Sequence, residues 1–316
     1  MIIPSVVVLA IVAVLITVVL CQFAVFVGTK LGLLDTPDER KKHKRPTPLM
    51  GGIVLLVAFL PAAAALVITS VPSSHIFKLT VLLLAIAWIT ILGLLDDRYS
   101  LSPHQRLIVS FAVFGFAAFI EPIYNVRILD FVHPAFSIGL GSRWLAIAFT
   151  ILCCVGLVNA VNMADGKNGL VIGLCFGWLA LLASRAPSAF IPIITLLTAV
   201  LTVLLVYNLR GKLFLGDGGA YGLAGAIGLL AIAIYNSPGM HATRAMSADE
   251  LMLLFAVPVF DSFRLTYKRI KRGQSFMAAD RDHLHHHLLD SFGWPAGLCI
   301  YWVIALLPAA IYLVPR

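Results

Sequence analysis

Apolar stretches of roughly 18 or more residues recur along nearly the whole chain, and each is long enough to cross a ~30 Å hydrocarbon core as a helix. Hydrophobic residues make up 60% of the 316 residues and charged residues 12%, whereas a soluble domain has about half and about a quarter. No segment of useful length is left for a soluble domain. We therefore expect one all-α, polytopic integral membrane domain over residues 1–316.

About ten transmembrane helices are predicted from these stretches. Their approximate bounds are 3–27, 49–70, 77–95, 105–122, 143–161, 169–184, 188–207, 219–236, 249–267 and 297–315. The first stretch has no Lys or Arg before it, no small-residue cleavage pattern and more length than a signal-peptide core, so we interpret it as a retained helix. The five cysteines lie in apolar stretches without a CxxC partner, which favours packing over zinc or redox chemistry.

The loops between these helices form two alternating sets, and one set carries seventeen of the 23 lysine and arginine residues. An excess of Lys and Arg marks the cytoplasmic side, so this set is predicted to face the cytoplasm and both termini to face outward. Eleven of the fifteen carboxylates belong to the same set or to the helix ends beside it. A solvated face of mixed charge is the simplest explanation, but the order of residues within these loops favours an active site there.

Two adjacent carboxylates, Asp96 and Asp97 in "GLLDDR", end one apolar stretch at its predicted cytoplasmic end. They repel each other and are opposed by the helix dipole unless a cation or a proton relieves them. A divalent metal or a shared proton is the interpretation that we favour. A solvated helix end with Arg98 as the partner is the alternative.

The loop "NAVNMADGKNGL" carries amides at Asn162 and Asn168, a carboxylate at Asp165, and two glycines. Amide side chains supply donors and acceptors for a base or a sugar, and glycines let peptide N–H groups approach an anion. An ordinary turn is equally consistent with this pattern.

A further carboxylate, Asp217 in "FLGDGGA", lies between glycines immediately before an apolar stretch. An aspartate at a helix start can cap the helix. It can also be a ligand of Mg²⁺, which favours one or two carboxylates together with substrate phosphates. The sequence leaves both roles open.

Basic residues are concentrated in "DTPDERKKHKRPTPLMGG", the first predicted cytoplasmic loop, which contains Lys44. The loop can orient the protein in the membrane and touch anionic lipid headgroups. It can also attract a phosphorylated substrate, and the two roles are compatible.

Four histidines, His283, His285, His286 and His287, occur within "DRDHLHHHLL". His283 and His287 would share one face of a helix, as zinc-binding pairs do. However, Arg272 and Arg281 flank the cluster and would oppose a bound cation. Contact with a phosphate or nucleotide is therefore favoured over structural zinc and over a solvated surface.

In their order along the chain, these motifs resemble those of one family, the polyprenyl-phosphate N-acetylhexosamine-1-phosphate transferases, bacterial enzymes that begin O-antigen, teichoic acid and related glycan synthesis. "PVFDSFR" and "DRDHLHH" distinguish this branch from the related phospho-N-acetylmuramoyl-pentapeptide transferases. The resemblance implies a multi-pass protein of the bacterial inner (plasma) membrane. It also implies that a lipid monophosphate attacks the β-phosphorus of a UDP-N-acetylhexosamine, with UDP-GlcNAc as the favoured donor, and that UMP is released.

The resemblance further implies roles for individual residues. Asp96 and Asp97 would be catalytic and would orient or deprotonate the lipid phosphate, and Asp217 together with Asp97 would bind Mg²⁺, with Mn²⁺ as an alternative. The substrate-binding residues that it implies are Lys44, Asn162, Asp165, Asn168, Arg281, His283, His285 and His286. The expected partners are the UDP-sugar, polyprenyl phosphate and membrane lipid, without nucleic acid and with a homodimer left open.

Two positions depart from the family pattern. Asn168 stands where the family usually has a second acid, and it keeps hydrogen bonding but has no charge with which to recognise a base or sugar. Ser100 stands where many members have a third carboxylate, and we assign it no role. A pentapeptide-type transferase is the nearest alternative. A membrane transporter is the alternative from another class, but transporters usually place ionisable groups or broken helices near the midplane.

Overall fold

A computed structural model describes residues 2–36, 46–132, 135–238, 244–273 and 282–313. This part of the chain is mostly helical. Its helices are α1 (Ile2–Gln22), α2 (Ala24–Leu31), α3 (Gly51–Val54), α4 (Leu60–Ser70), α5 (Ser73–Tyr99), α6 (Pro103–Ile120), α7 (Arg143–Ala164), α8 (Leu170–Ala183), α9 (Ile191–Leu209), α10 (Gly216–Tyr235), α11 (Ala248–Lys271), α12 (Leu284–Phe292) and α13 (Ala296–Leu313). A π-helical turn (Leu55–Phe59) joins α3 to α4, and a 3₁₀ turn (Pro122–Tyr124) follows α6.

Seven helical segments within the described residues are long and apolar enough to cross a membrane. They are α1, the continuous segment from α3 to α4, α5, α6, α7, α9 and α10. α8 and α13 are apolar but shorter. α11 contains several charged residues and is not one of the seven. A multi-pass, mostly helical membrane protein is thus confirmed, whereas the number of ten spans and the outward orientation of both termini stay predictions.

Several helices begin where the sequence supplies an N-terminal cap. Ser102 and Gln105 form a reciprocal capping box at the start of α6, and Ser247 and Glu250 form another at the start of α11. Each box satisfies peptide N–H groups that have no partner within the first turn of a helix. These caps define where the two helices leave their preceding loops.

α10 lies at the centre of the bundle, and all its residues from Gly218 to Tyr235 are buried. Neighbouring helices approach its backbone closely because glycines meet glycines at the contact. A Cβ atom at Gly93 of α5 would lie 2.7 Å from the Gly218 Cα atom, and one at Gly51 of α3 would lie 2.8 Å from the Gly219 Cα atom. Only glycine fits such contacts, which bring the first turn of α10 against the last turns of α5.

Two short antiparallel sheets were not expected from the sequence. One pairs β1 (Leu34–Asp35) with β2 (Thr47–Pro48). The other is a hairpin of β3 (Ile128–Val132) and β4 (Ala135–Gly139), which follows α6. The Tyr235 hydroxyl at the end of α10 donates to the Ile128 carbonyl at 2.7 Å and accepts from the Asp130 N–H at 2.8 Å. The hairpin therefore lies at the opposite end of α10 from Asp217.

Candidate active site

Asp97, near the end of α5, caps the first turn of α10. Its Oδ1 atom accepts from the Asp217 N–H at 2.8 Å and its Oδ2 atom accepts from the Gly218 N–H at 2.9 Å. These are N–H groups without a partner inside their own helix, and a carboxylate there also meets the positive end of the helix dipole. Gly216 has a φ of 72° and a Cβ atom at that position would lie 2.8 Å from Asp97 Oδ2, so glycine is required at the entry to α10.

Asp96 is buried, and it accepts hydrogen bonds from Arg106 and Tyr221. Arg106 Nη1 donates to Asp96 Oδ2 at 2.8 Å, and the Tyr221 hydroxyl donates to the same oxygen at 3.3 Å. Arg98 was the partner in the alternative interpretation of a solvated helix end, but the arginine that contacts Asp96 is Arg106, ten residues after it. The mutual repulsion of the pair is therefore relieved by a guanidinium on one carboxylate and by peptide N–H groups on the other.

Asp165 and Asp217 join the acid pair at this end of the bundle. The half-buried Asp217 side chain interacts electrostatically with Asp97, Asp96 and Asp165 and forms a hydrogen bond with Asp96. Asp165 follows the last residue of α7, where burial, with a smaller contribution from the Asp97 charge, raises its pKa to about 7. The structure thus brings together the four acids that the sequence distributed over three motifs.

The arrangement does not form a preassembled metal centre within the described ranges. There, no group of three or more His, Cys, Asp or Glu side chains is placed to hold a metal ion. Mg²⁺ does not require such a group, because it is usually bound by one or two carboxylates together with waters and substrate phosphates. Each Asp97 oxygen accepts one peptide N–H group and keeps a further lone pair. The carboxylates of Asp97 and Asp217 therefore fit a cation that is shared with a phosphate.

The Asn162–Gly169 loop begins in the last turn of α7 and leads to α8. It is held by two residues that the sequence did not single out. Asn208 Oδ1 accepts from the Gly169 N–H at 2.5 Å, and Asn208 Nδ2 donates to the Leu213 carbonyl at 3.0 Å. Asn162 forms a side-chain hydrogen bond with Tyr221, the tyrosine that contacts Asp96. The loop is consequently linked both to the turn before α10 and to the acid cluster. The only sequence signal for Asn208 is a polar side chain near the end of an apolar stretch.

Three of the histidines pack against one another beside this loop. His283 precedes the first residue of α12, and its ring stacks on that of His285, with ring centroids 5.3 Å apart. The His285 and His286 centroids are 4.2 Å apart. A Cβ atom at Gly166 would lie 2.5 Å from His285 Nε2. The cluster therefore contacts the loop that carries Asp165.

His285 is fully buried, and neither of its ring nitrogens has a hydrogen-bond partner within the described residues. Burial, and to a smaller extent the neighbouring His286 and His283, lower its pKa to about 3. His285 is thus a neutral ring near pH 7, able to donate from one nitrogen and accept at the other. His287 is different, since it is exposed and contacts Asp282 at 2.6 Å.

The other predicted site residues are Lys44, Arg281 and Asn168. Lys44 and Arg281 lie outside the described residues. Asn168 is half-buried, and its Nδ2 atom lies 3.7 Å from the position that a Cβ atom at Gly211 would occupy, which places it beside the turn between α9 and α10. Asp261 of α11 is an unexpected participant, because it contacts His283.

Comparison with known proteins places this arrangement in a family. The model of glycosyl transferase family 4 matches residues 79–235, which include the acid pair, the Asn162–Gly169 loop and Asp217. A curated Yersinia pestis protein, undecaprenyl-phosphate alpha-N-acetylglucosaminyl 1-phosphate transferase, is 30% identical over 272 residues, which are 83% of this chain and 71% of that protein. The chain belongs to glycosyl transferase family 4.

This family 4 glycosyl transferase aligns with two further relatives over similar shares of their length. The probable undecaprenyl-phosphate N-acetylglucosaminyl 1-phosphate transferase of Bacillus subtilis (strain 168) is 29% identical over 297 residues, 91% of this chain and 78% of the relative. The undecaprenyl-phosphate alpha-N-acetylglucosaminyl 1-phosphate transferase of Escherichia coli (strain K12) is 28% identical over 285 residues, 87% of this chain and 74% of the relative. The family resemblance predicted from the motifs is confirmed.

Proposed function

We propose that this family 4 glycosyl transferase transfers N-acetylglucosamine 1-phosphate from UDP-N-acetylglucosamine to a polyprenyl phosphate such as undecaprenyl phosphate and releases UMP. The observation that carries this proposal is the clustering of Asp96, Asp97, Asp165 and Asp217 at one end of a membrane-spanning bundle. At such a position, a lipid chain can remain in the bilayer while its phosphate meets a water-soluble donor. The names of the relatives support undecaprenyl phosphate as the acceptor and N-acetylglucosamine 1-phosphate as the transferred group.

The proposed reaction forms one P–O bond and breaks another. An oxygen of the lipid phosphate attacks the β-phosphorus of the donor, and the bond between that phosphorus and the oxygen bridging to the α-phosphate breaks, so that UMP leaves. Both reactants are anions, and charge neutralisation with alignment therefore supplies most of the rate enhancement. Bound Mg²⁺, or Mn²⁺ in its place, would supply positive charge to the diphosphate, and Asp217 and Asp97 would be its protein ligands.

The acid pair would serve the lipid phosphate mainly by orienting it. A phosphate monoester has a second pKa of about 6 and is largely dianionic at neutral pH, so little deprotonation is required there. Asp96 is held by Arg106 and Tyr221, and Asp97 is held by the first turn of α10. Two carboxylates with fixed positions can define where the lipid phosphate and its counterion meet, and they can accept a proton when the monoanion binds.

The donor would be recognised by the loop and the histidine cluster. Asn162, Asp165 and Asn168 offer hydrogen bonds to a base or sugar, and His283, His285 and His286 lie close to the same loop. Neutral His285 would contribute hydrogen bonds rather than charge. Lys44 and Arg281 would supply positive charge to the phosphates.

A defined assay tests this function. Purified protein supplied with Mg²⁺, polyprenyl phosphate and UDP-N-acetylglucosamine should release UMP, and Asp217→Ala should abolish the release. Asp290→Ala is the matched control, because it removes an exposed carboxylate from α12 and should leave turnover unchanged. Undiminished turnover in Asp217→Ala would remove Asp217 from the metal site. A wild-type enzyme that releases UMP from none of a panel of UDP-hexosamines would reject the reaction itself.

A further inference from the structure

Asp261, in the middle of α11, makes contacts that link this helix to the start of α12. Its carboxylate lies 2.9 Å from His283 Nδ1 and accepts from the Leu284 N–H at 3.2 Å. Arg264 Nη2 donates to the same carboxylate at 2.9 Å. Asp261 is buried, with 9% of its surface exposed, so these partners replace water as its hydrogen-bonding environment.

These contacts define which nitrogen of His283 carries a hydrogen. A carboxylate that is paired with a guanidinium and accepts a peptide N–H bond is ionised, and an ionised carboxylate only accepts hydrogen bonds. His283 Nδ1 must therefore be the donor of the His283–Asp261 bond. In the neutral ring, Nε2 then carries a lone pair that can accept a hydrogen bond.

The same carboxylate also fixes the first turn of α12. Leu284 is the first residue of that helix, and the side chain of the preceding His283 makes no capping hydrogen bond. Asp261 supplies the missing acceptor from another helix. Arg264 also donates to the carbonyl oxygen of Asp282. The chain is thus held at three consecutive residues immediately before His285 packs against Gly166.

We propose that Asp261 is a positioning residue for the transfer reaction, which it serves through His283 without touching a substrate. It holds His283 as the Nδ1–H tautomer and presents Nε2 as an acceptor to hydroxyl or N–H groups of the bound sugar nucleotide. This inference rests on the proposed function for the identity of the ligand. The tautomer itself is a property of the free protein.

Asp261→Asn should change the tautomer of His283 without removing the acceptor for the Leu284 N–H group. The amide oxygen can still accept from the Leu284 N–H, but the amide nitrogen would face His283 Nδ1 and require it to accept, so that the hydrogen moves to Nε2. We expect kcat/KM for UMP release to fall about 10- to 100-fold, mainly through KM for the UDP-sugar. Asp261→Asn combined with His283→Gln should be no worse than His283→Gln alone, because both changes remove one interaction.

Asp290→Asn is the control. Asp290 is an exposed carboxylate of the same helix, α12, and it belongs neither to the proposed site nor to the contacts around His283. UMP release by this variant should remain within about threefold of the wild type, as is usual for surface substitutions. An equal loss in Asp290→Asn and Asp261→Asn would overturn the specific role of Asp261.

Nitrogen-15 NMR of histidine-labelled protein in lipid bilayers tests the tautomer without substrate. The signals of His283 are identified by their absence in His283→Gln, at a pH high enough for the ring to be neutral. The wild type should show a protonated Nδ1, and Asp261→Asn should show a protonated Nε2. A wild-type ring protonated at Nε2 overturns the proposal, even if UMP release proceeds as expected. Conversely, the expected tautomer in a protein that releases no UMP would reject the proposed function alone.

Discussion

The contrast between Asp97→Asn and Asp217→Asn should separate two neighbouring carboxylates that the sequence treats alike. Asp97 accepts two peptide N–H bonds from the first turn of α10, at 2.8 and 2.9 Å. An asparagine keeps one acceptor and points an N–H group at the second donor. Hydrogen bonds to charged groups contribute about 1.5–3 kcal/mol each, and an anion at a helix N-terminus adds about 0.3–1 kcal/mol. We therefore expect Asp97→Asn to lower the free energy of unfolding by about 2–4 kcal/mol.

Asp217→Asn should behave in the opposite way. The Asp217 side chain is repelled by the charges of Asp97, Asp96 and Asp165, and the amide removes its share of that repulsion while keeping a similar shape. The amide nitrogen of the asparagine can still donate to Asp96, which preserves that hydrogen bond. The effect on the free energy of unfolding should therefore be neutral or stabilising by up to about 1 kcal/mol. UMP release should nevertheless be lost, because the amide is a poor ligand for Mg²⁺.

Both quantities can be measured on the same samples. Thermal unfolding without metal or substrate, followed by the fluorescence of the five tryptophans, reports stability, and UMP release reports turnover. Equal unfolding temperatures for the two variants would refute the idea that Asp97 anchors α10. A strongly destabilised Asp217→Asn variant would show that the acids are held together by favourable contacts that outweigh their repulsion.

Three further outcomes follow from the structure. Gly166→Ala places a Cβ atom 2.5 Å from His285 Nε2 and should reduce UMP release about tenfold or more without unfolding the protein. Gly139→Ala, which meets nothing within 4 Å, should change neither activity nor melting temperature. Because burial lowers the pKa of His285 to about 3 from its ordinary 6.5, the unfolded chain binds more protons than the folded one between these values, so stability should fall as pH drops below about 6.5. Melting temperatures recorded from pH 8 to pH 4 should therefore decline less steeply in His285→Gln than in the wild type, and parallel curves would contradict this. In a cysteine-free background, His287→Cys should react with an impermeant thiol reagent from the cytoplasm only, and Gly139→Cys should react from outside only. The buried position of His285 is unsuitable for this test. The reverse labelling pattern would reject the predicted orientation.

The helices could be predicted from the sequence because each depends on local composition. The predicted stretch 219–236 corresponds to α10 (Gly216–Tyr235), and the stretch 143–161 corresponds to α7 (Arg143–Ala164). Apolar runs, glycines and capping residues lie within one helix length of the boundaries they determine. The strands of the β3–β4 hairpin could not be predicted in this way, because the loop that contains them has no comparable apolar pattern.

The partners within the site could not be predicted because they come from distant parts of the chain. Tyr221 is 125 residues from Asp96, and Asn208 is 39 residues from the Gly169 N–H that it accepts. Asp217 was left open as a helix cap or a metal ligand, but the residue that caps α10 is Asp97, which is 120 residues earlier. The hydrogen-bond partners depend on how the helices pack. The rotation and height of each helix relative to its neighbours cannot be read from local patterns in one sequence.

The complete burial of α10 has a consequence for how the protein is assembled in the membrane. A helix whose entire surface from Gly218 to Tyr235 is covered by protein makes no lasting contact with lipid, so its final stabilisation comes from packing against its partner helices. α3, α5 and α7 precede it in the chain, and they can be in the bilayer before α10 emerges from the ribosome. Residues 79–235, which match the family model, end where α10 ends. When synthesis reaches Tyr235, the chain therefore already contains the central helix and the helices α3 and α5, whose glycines allow close packing against it.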